Sequence, residues 1–544
     1  FQKLLIRFFI VICLIVISAL PILKNFETKH VATEEGNKYG TLSDKQTTIT
    51  SDAHNSEKND AKLPKYPVAV YFVLGSKFFE SFAANGVRTV LALYLRDSIG
   101  LSENTSTTVL HIFNFFSQFT PVFGAILADS YLGNSNTIFY TFFLYGLGYT
   151  ILFLVTWPIL TFKIVPTVFT ALLLISLGNG GIRACVTSLG GSQFTLPQQT
   201  GALDDYFSHY YFVYTMGVLL SKIAPPAVRA GTSCFHMTDC YTAVFGLLAG
   251  AFLLAWAVFL FGLAYYRAQT PSGNNIFAKT IRCVLHALVQ NARGRKPSDA
   301  EHWLDSARSR YGQRFVGDVK AFIKVLVLFL PLPVYWSLTA QQDSTWTYQA
   351  AQLDTDLGFM KVEPDQVKSL GPILLLLLIL FMSQLSILFD KLGILQTSLD
   401  QVRCGGIMAV LSFLSAGVLQ KFIENNSSSR KYSVLWQIPQ FLLLMLGEVL
   451  LSIPGLQFAF TQAPKSMKSV LTAFWFVNNA LGNLIVVIIT EINLIKLQSD
   501  EFFLYAGLMA IGITLFSMMA SRYRMRQEEQ MSIPIYKNTT PTEA

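Results

Sequence analysis

The chain has 544 residues, 52% of them hydrophobic and only 14% charged, with a formal net charge of +8 and a mean hydropathy of +0.44. That balance excludes an ordinary soluble globule and points to a protein built for the bilayer. The basic residues cluster between apolar runs, so the positive charge reads as cytoplasmic-loop bias and not as nucleic-acid affinity. No phosphate-cradling glycine loop, His-Glu-x-x-His or Gly-x-Ser-x-Gly occurs. An ATP-driven pump and the common hydrolase chemistries therefore lack their machinery, and no cofactor or metal is expected.

In chain order, residues 1–65 come first. Leu4 to Ile22 form an apolar run flanked by Lys3 and Lys24 and interrupted by Arg7, resembling a signal peptide or an extra anchor. A polar stretch over 27–62 follows and is expected to be disordered. Twelve stretches then meet the length criterion of about 20 residues for a spanning helix. They lie near 69–96, 107–129, 136–157, 163–187, 206–229, 241–266, 320–341, 369–390, 403–423, 434–460, 469–494 and 501–521. The grouping predicts two six-helix units over 66–266 and 320–522, a linker over 267–319 and a tail over 523–544. Arg267, Lys279, Arg282, Arg293, Arg295 and Lys296 place the linker in the cytoplasm. Its helical part is expected from Ser298 to Arg314. On that parity the sequon asparagines Asn104, Asn425 and Asn426 fall outside as glycosylation candidates. Cys234 and Cys240 can close an external loop or remain free thiols.

Ionisable residues inside the apolar runs carry the functional signal. A charge at bilayer depth costs about 2.5–3.5 kcal/mol on insertion scales, so such residues normally face an interior or a water-filled cavity. Lys77, Glu80, Ala84 and Arg88 share one helix face, and Lys77 can pair with Glu80. The alternative has Lys77 and Arg88 snorkelling to opposite interfaces. His111 is the one histidine of seven deep in a predicted span, and its ordinary pKa near 6.5 suits proton exchange, although a structural role is equally open. Arg183 follows Gly178-Asn179-Gly180-Gly181-Ile182, where small residues let helices approach closely, and its guanidinium fork suits a carboxylate. Glu448 has Ser452 one turn on, and Pro454-Gly455 is expected to break the helix there. Glu448 facing Arg88 or Arg183 can hold a zwitterion, or merely gate the helices as an ion pair. Trp336 and Trp475 read as pocket walls or as packing.

Several separated motifs then resemble the proton-coupled oligopeptide (peptide) transporter family of the major facilitator superfamily. Gly124-Ala125-Ile126-Leu127-Ala128-Asp129-Ser130-Tyr131-Leu132-Gly133 is similar to the signature after its second span. Gly178 to Phe194 resembles the fourth-span motif, and Tyr210-Tyr211 with Gly217 and Ser221 the fifth. Gln437-Ile438-Pro439-Gln440, Gly447-Glu448 and Gln462-Ala463-Pro464 resemble the tenth-span region. The resemblance implies an all-α integral membrane protein of the major facilitator fold, two six-helix bundles around a central cavity. It implies that Arg88 and Arg183 take a peptide carboxylate and Glu448 its amine, with Tyr211, Trp336, Ser452 and Trp475 as pocket. His111, Glu80 and Glu448 would handle the coupling proton. Departures stand beside these matches: Lys77 replaces a family acid, Ser81 an arginine, Asn85 and Gln118 tyrosines, Ala340 an acid and Gly371 an asparagine.

Three readings follow. The first is a proton-coupled carrier of di- and tripeptides or peptide-like solutes. The second keeps the scaffold without coupling, as a facilitator or exchanger of another small zwitterion or anion. The third is a transport-poor membrane protein acting through partners. A small-molecule substrate, surrounding lipid, no nucleic acid and a monomer are expected, in the plasma membrane or, alternatively, an endolysosomal one.

Overall fold

A computed structural model of the chain describes residues 66–523, except 158–163, 196–197, 235–238, 268–275, 295–301, 359–360, 392–394, 396, 426–430, 463–467 and 493–494. The leader over 1–65, Asn426 and nearly all of the tail lie outside the described residues.

The architecture is helical throughout. In the first half run α1 (Val68–Leu93), α2 (Glu103–Leu127), α3 (Gly133–Val155), α4 (Ile164–Gly191), α5 (Thr200–Gly231) and α6 (Tyr241–Gly262). The connection carries α7 (Ile276–Ala292). The second half holds α8 (Gln313–Leu328), α9 (Pro333–Ala340), α10 (Thr345–Gln352), α11 (Leu370–Lys391), α12 (Ser398–Asn425), α13 (Ile438–Gln462), α14 (Lys468–Ile492) and α15 (Gln498–Ser521). Local chemistry sets several ends. The Ser102 hydroxyl accepts the Thr105 amide at 3.1 Å and caps α2. Gly133, at φ 74°, takes the chain from α2 into α3. Among the described residues, six helical stretches are long and apolar enough to cross a membrane by length and composition alone. α1 is not among them, because Lys77, Glu80 and Arg88 interrupt it.

Two features correct the expected elements. The seventh span is not one helix over 320–341. It breaks between α8 and α9, where Pro331 and Pro333 lack the amide hydrogens that a continuous helix needs, and continues through a 3-10 turn (Gln341–Asp343) into α10. In the linker, the longest described helix is α7, upstream of the predicted segment. Among the described residues of 298–314, the short turns Trp303–Ala307 and Arg308–Tyr311 are helical, and α8 begins at Gln313. Asp305, fully buried there, pairs with Arg308 at 2.8 Å and Lys320 at 2.5 Å and ties the linker to α8. Burial alone would raise its carboxyl pKa, but these two cations hold it below the usual carboxylate range.

Each half has its own apolar core. One is built on α1 to α6 around Phe142, Tyr145, Tyr149 and Phe252, the other on α8 to α15 around Trp346, Phe413, Phe441 and Tyr505. Close approach of α4 to its neighbours needs glycine: a Cβ on Gly180 would lie 2.8 Å from the Thr120 backbone of α2, and one on Gly178 2.6 Å from the Tyr145 backbone of α3. The outer end of the second half is joined by side-chain amides. Gln349 of α10 donates to Ala416 O and Gln420 Oε1 and accepts from Gln437 and Gln440, which exhausts its hydrogen-bonding capacity.

Bonds between the halves gather at the end away from the basic linker, the outer end on the parity expected from the sequence. Thr108 donates to Glu491 at 2.7 Å, Lys368 to the Thr89 carbonyl at 3.0 Å, and Arg229 to Glu363 and Asp365 at 3.2 and 3.0 Å. Cys234 and Cys240 form a disulfide in the outer loop after α5.

Candidate functional site

Between the halves lies a cavity of about 480 Å³. From the first half, α1 contributes Asn85 and Arg88, α2 Asn114 and Gln118, α4 Arg183, and α5 Tyr211, Tyr214 and Lys222. From the second half come Trp336 of α9, Asp343 of the turn after it, Gly371 of α11, Glu448 of α13, and Trp475, Asn479 and Asn483 of α14.

The cations are held by amides and rings. Arg88 Nε donates to Asn114 Oδ1 at 3.1 Å and Nη1 to Asn85 Oδ1 at 3.3 Å, with the Phe113 ring 5.9 Å from the guanidinium. Two carbonyl oxygens and a ring face orient the fork without neutralising it, leaving donors for an anion. Arg183 reaches the same cavity because the glycines of α4 bring that helix against α2 and α3. Opposite, Glu448 supplies a carboxylate on α13. Trp336 and Trp475 meet edge to face at 5.7 Å and form a wall. Gly482 permits it: a Cβ there would lie 2.7 Å from the Trp336 backbone. Tyr211 stands 48% exposed at the inner part of the cavity.

The remaining predicted residues sit elsewhere. Glu80 is buried and accepts from Lys77 Nζ at 2.7 Å, with the Tyr214 ring 5.2 Å from that ammonium. Neither residue lines the cavity, and Lys77 does not snorkel. His111 is buried in the outer seal, one layer from the cavity. Its Nδ1 lies 2.9 Å from Asn483 Oδ1, and its Nε2 lies 2.9 Å from Ser344 Oγ. Asn483 donates its own amide hydrogen to Asn479 O, so Oδ1 accepts and His111 Nδ1 carries a proton. In neutral His111, Nε2 is then the acceptor facing the Ser344 hydroxyl, whose hydrogen also has Gln341 Oε1 within 3.4 Å. Ser452 is not among the lining residues, and its hydroxyl is buried one turn inward of Glu448. Pro454 does not break α13, which runs on to Gln462; the Pro-Gly pair instead leaves room for the Trp475 ring, which would lie 3.2 Å from a Cβ on Gly455. Asn104 is exposed in the first turn of α2, and Asn425 is exposed at the end of α12.

Asn114, Lys222, Asp343, Lys368, Asn479 and Asn483 were not singled out from the sequence. Polar side chains within apolar helices signal several of them, and the same cost argument that isolates Arg88 applies to Lys222.

The family model described as POT family matches residues 135–496. The chain belongs to the POT family. Solute carrier family 15 member 2 of Rattus norvegicus is 39% identical over 364 residues, covering 66% of this chain and 50% of that protein. The chain thus spans about half the length of the mammalian relatives it matches. Peptide transporter family 1 of Drosophila melanogaster is 26% identical across 87% of the chain and 90% of its own length. Among solved structures, the POT family transporter PepTSo superposes with a TM-score of 0.74 at 24% identity, covering 86% of this chain and 99% of that one. That likeness establishes the fold, and membership of the POT family makes the chain a multi-pass membrane protein.

Proposed function

We propose that the protein carries di- and tripeptides, or peptide-like zwitterions, by alternating access coupled to protons. The observation that carries this reading is the facing of Arg88 and Arg183 by Glu448 across one cavity. A peptide carboxylate meets two guanidinium forks and its amine a carboxylate, while the tryptophan wall takes a side chain. Relatives named as peptide transporters support the same substrate class.

Of the three titratable residues proposed for coupling, Glu80 is committed to Lys77. Glu448 and His111 therefore carry the proton in this reading. Glu448 senses the substrate directly, and His111 holds the outer seal through Ser344 and Asn483. One charge moved through 100 mV is worth about 2.3 kcal/mol, enough for roughly fiftyfold accumulation of a neutral solute. The plasma membrane is the proposed site of action, with the monomer as the working unit.

The test is uptake of a labelled, hydrolysis-resistant dipeptide into expressing cells at external pH 5.5 and 7.5. Concentrative uptake that is larger at pH 5.5 and lost in Arg183→Ala and Glu448→Ala is expected. Equal, uncoupler-insensitive uptake at both values would favour the uncoupled facilitator, for which Lys77 beside Glu80 is the specific motive.

A further inference from the structure

The charges of the cavity do not balance. Arg88, Arg183 and Lys222 line it with Asp343 and Glu448, and Lys368 lies buried directly behind Asp343. Three cations of the lining thus face two carboxylates, and Lys368 behind them lies between Asp343 and the buried Asp365. The surplus is concentrated at the outer end, where Lys222 of α5 and Lys368 share the single carboxylate of Asp343 at 3.9 and 3.8 Å. Lys368 spends its hydrogens on the Thr89 and Asp343 carbonyls at 3.0 and 3.2 Å. Lys222 makes no hydrogen bond among the described residues, and 3.9 Å to Asp343 exceeds hydrogen-bond length. Its ammonium therefore faces the cavity with its donors unspent.

The site has a defined place. Lys222 lies eleven residues beyond Tyr211 on α5, about 16 Å further along the helix toward the outer side. Arg88 immediately precedes Thr89, whose carbonyl Lys368 holds, so Arg88 and Lys222 address the same end of the cavity. When a peptide amine occupies Glu448 and its carboxylate the arginines, Asp343 is the one cavity carboxylate left beside Lys222, while Lys368 behind it also faces the buried Asp365.

We propose that Lys222 binds a second anionic group of the substrate, so that the cavity favours peptides whose carboxyl-terminal residue is acidic over neutral isosteres. This rests on the peptide-carrier reading above. An Asp side chain next to the terminal carboxylate presents two anions at neighbouring positions, matched by Arg88 and Lys222, and a charge-assisted hydrogen bond supplies the discrimination.

The isosteric pair Ala-Asp and Ala-Asn tests it at pH 7.4, where the Asp side chain is ionised. Each peptide is titrated against the purified full chain, and apparent affinity is read from the ligand-induced rise in unfolding temperature. About tenfold tighter binding of Ala-Asp is expected, in line with one charge-assisted bond. Lys222→Gln should bring the two peptides level, and Lys222→Arg should keep the preference. Equal binding of both peptides by the unsubstituted chain overturns the inference but leaves peptide binding standing. So does a preference that survives Lys222→Gln, or a variant that weakens both peptides in proportion, which would make Lys222 a latch to Asp343. If neither peptide shifts the transition, the peptide-carrier reading fails and this inference falls with it.

Discussion

Lys77 and Glu80 illustrate how far single residues could be read. Their three-residue spacing on an apolar helix allowed a local pair, with snorkelling of Lys77 as the alternative, and the ammonium and carboxylate meet at 2.7 Å, both buried. Burying a pair costs desolvation of both ions, but removing one partner strands the other and costs about 3–5 kcal/mol. Lys77→Met should therefore lower the unfolding temperature in detergent sharply, and the double variant Lys77→Met, Glu80→Leu should recover most of the loss. A double variant as unstable as the single one would show that Lys77 acts through packing on Tyr210 and Tyr214. By contrast, the cradle around Arg88 was illegible. Asn85 and Asn114 have no periodic signature, and which amide meets which cation depends on how α1 and α2 pack.

At the scale of elements, hydrophobic runs located the long helices well, because a run long enough to cover the bilayer thickness is marked whatever its neighbours are. Breaks were harder to read. Pro331 and Pro333 interrupt the seventh span, yet Pro454 does not interrupt α13, although each removes one helical hydrogen bond. Whether a helix breaks at such a point is decided by what packs there: the Trp475 ring lies beside Gly455 of the unbroken α13. Glycines separate into two classes on the same ground. Gly180→Ala should cost about 1–3 kcal/mol, because its Cβ would press on backbone of α2 that cannot step aside. Gly250→Ala on α6, with nothing within 4 Å, should be neutral or stabilising by up to about 1 kcal/mol through helix propensity. Thermal unfolding of the two variants side by side checks the contrast, and similar shifts would refute it.

For the whole molecule, basic loops and span parity bear on orientation, but nothing in the chain shows which face of the cavity is shut, because closure depends on partners more than a hundred residues apart. Arg229 of α5 is the clearest such partner. It joins Asp239 of its own half to Glu363 and Asp365 of the other, and Asp365 is fully buried. An outward-open arrangement would part Arg229 from the opposite half and return Asp365 to water. Arg229→Ala should therefore penalise the closed arrangement specifically, since it strands a buried carboxylate there and nowhere else. A penalty of about 3 kcal/mol shifts the balance between open and closed outer ends more than a hundredfold. A cysteine placed at Thr339, on the cavity wall, reports it in a background without the other free thiols. A membrane-impermeant thiol reagent applied outside should label it much faster with Arg229→Ala than without. Asp365→Asn should give a smaller acceleration, because a neutral amide tolerates burial better than a stranded carboxylate. Unchanged labelling in both variants would mean that Thr108–Glu491 and Lys368–Thr89 hold the outer end on their own.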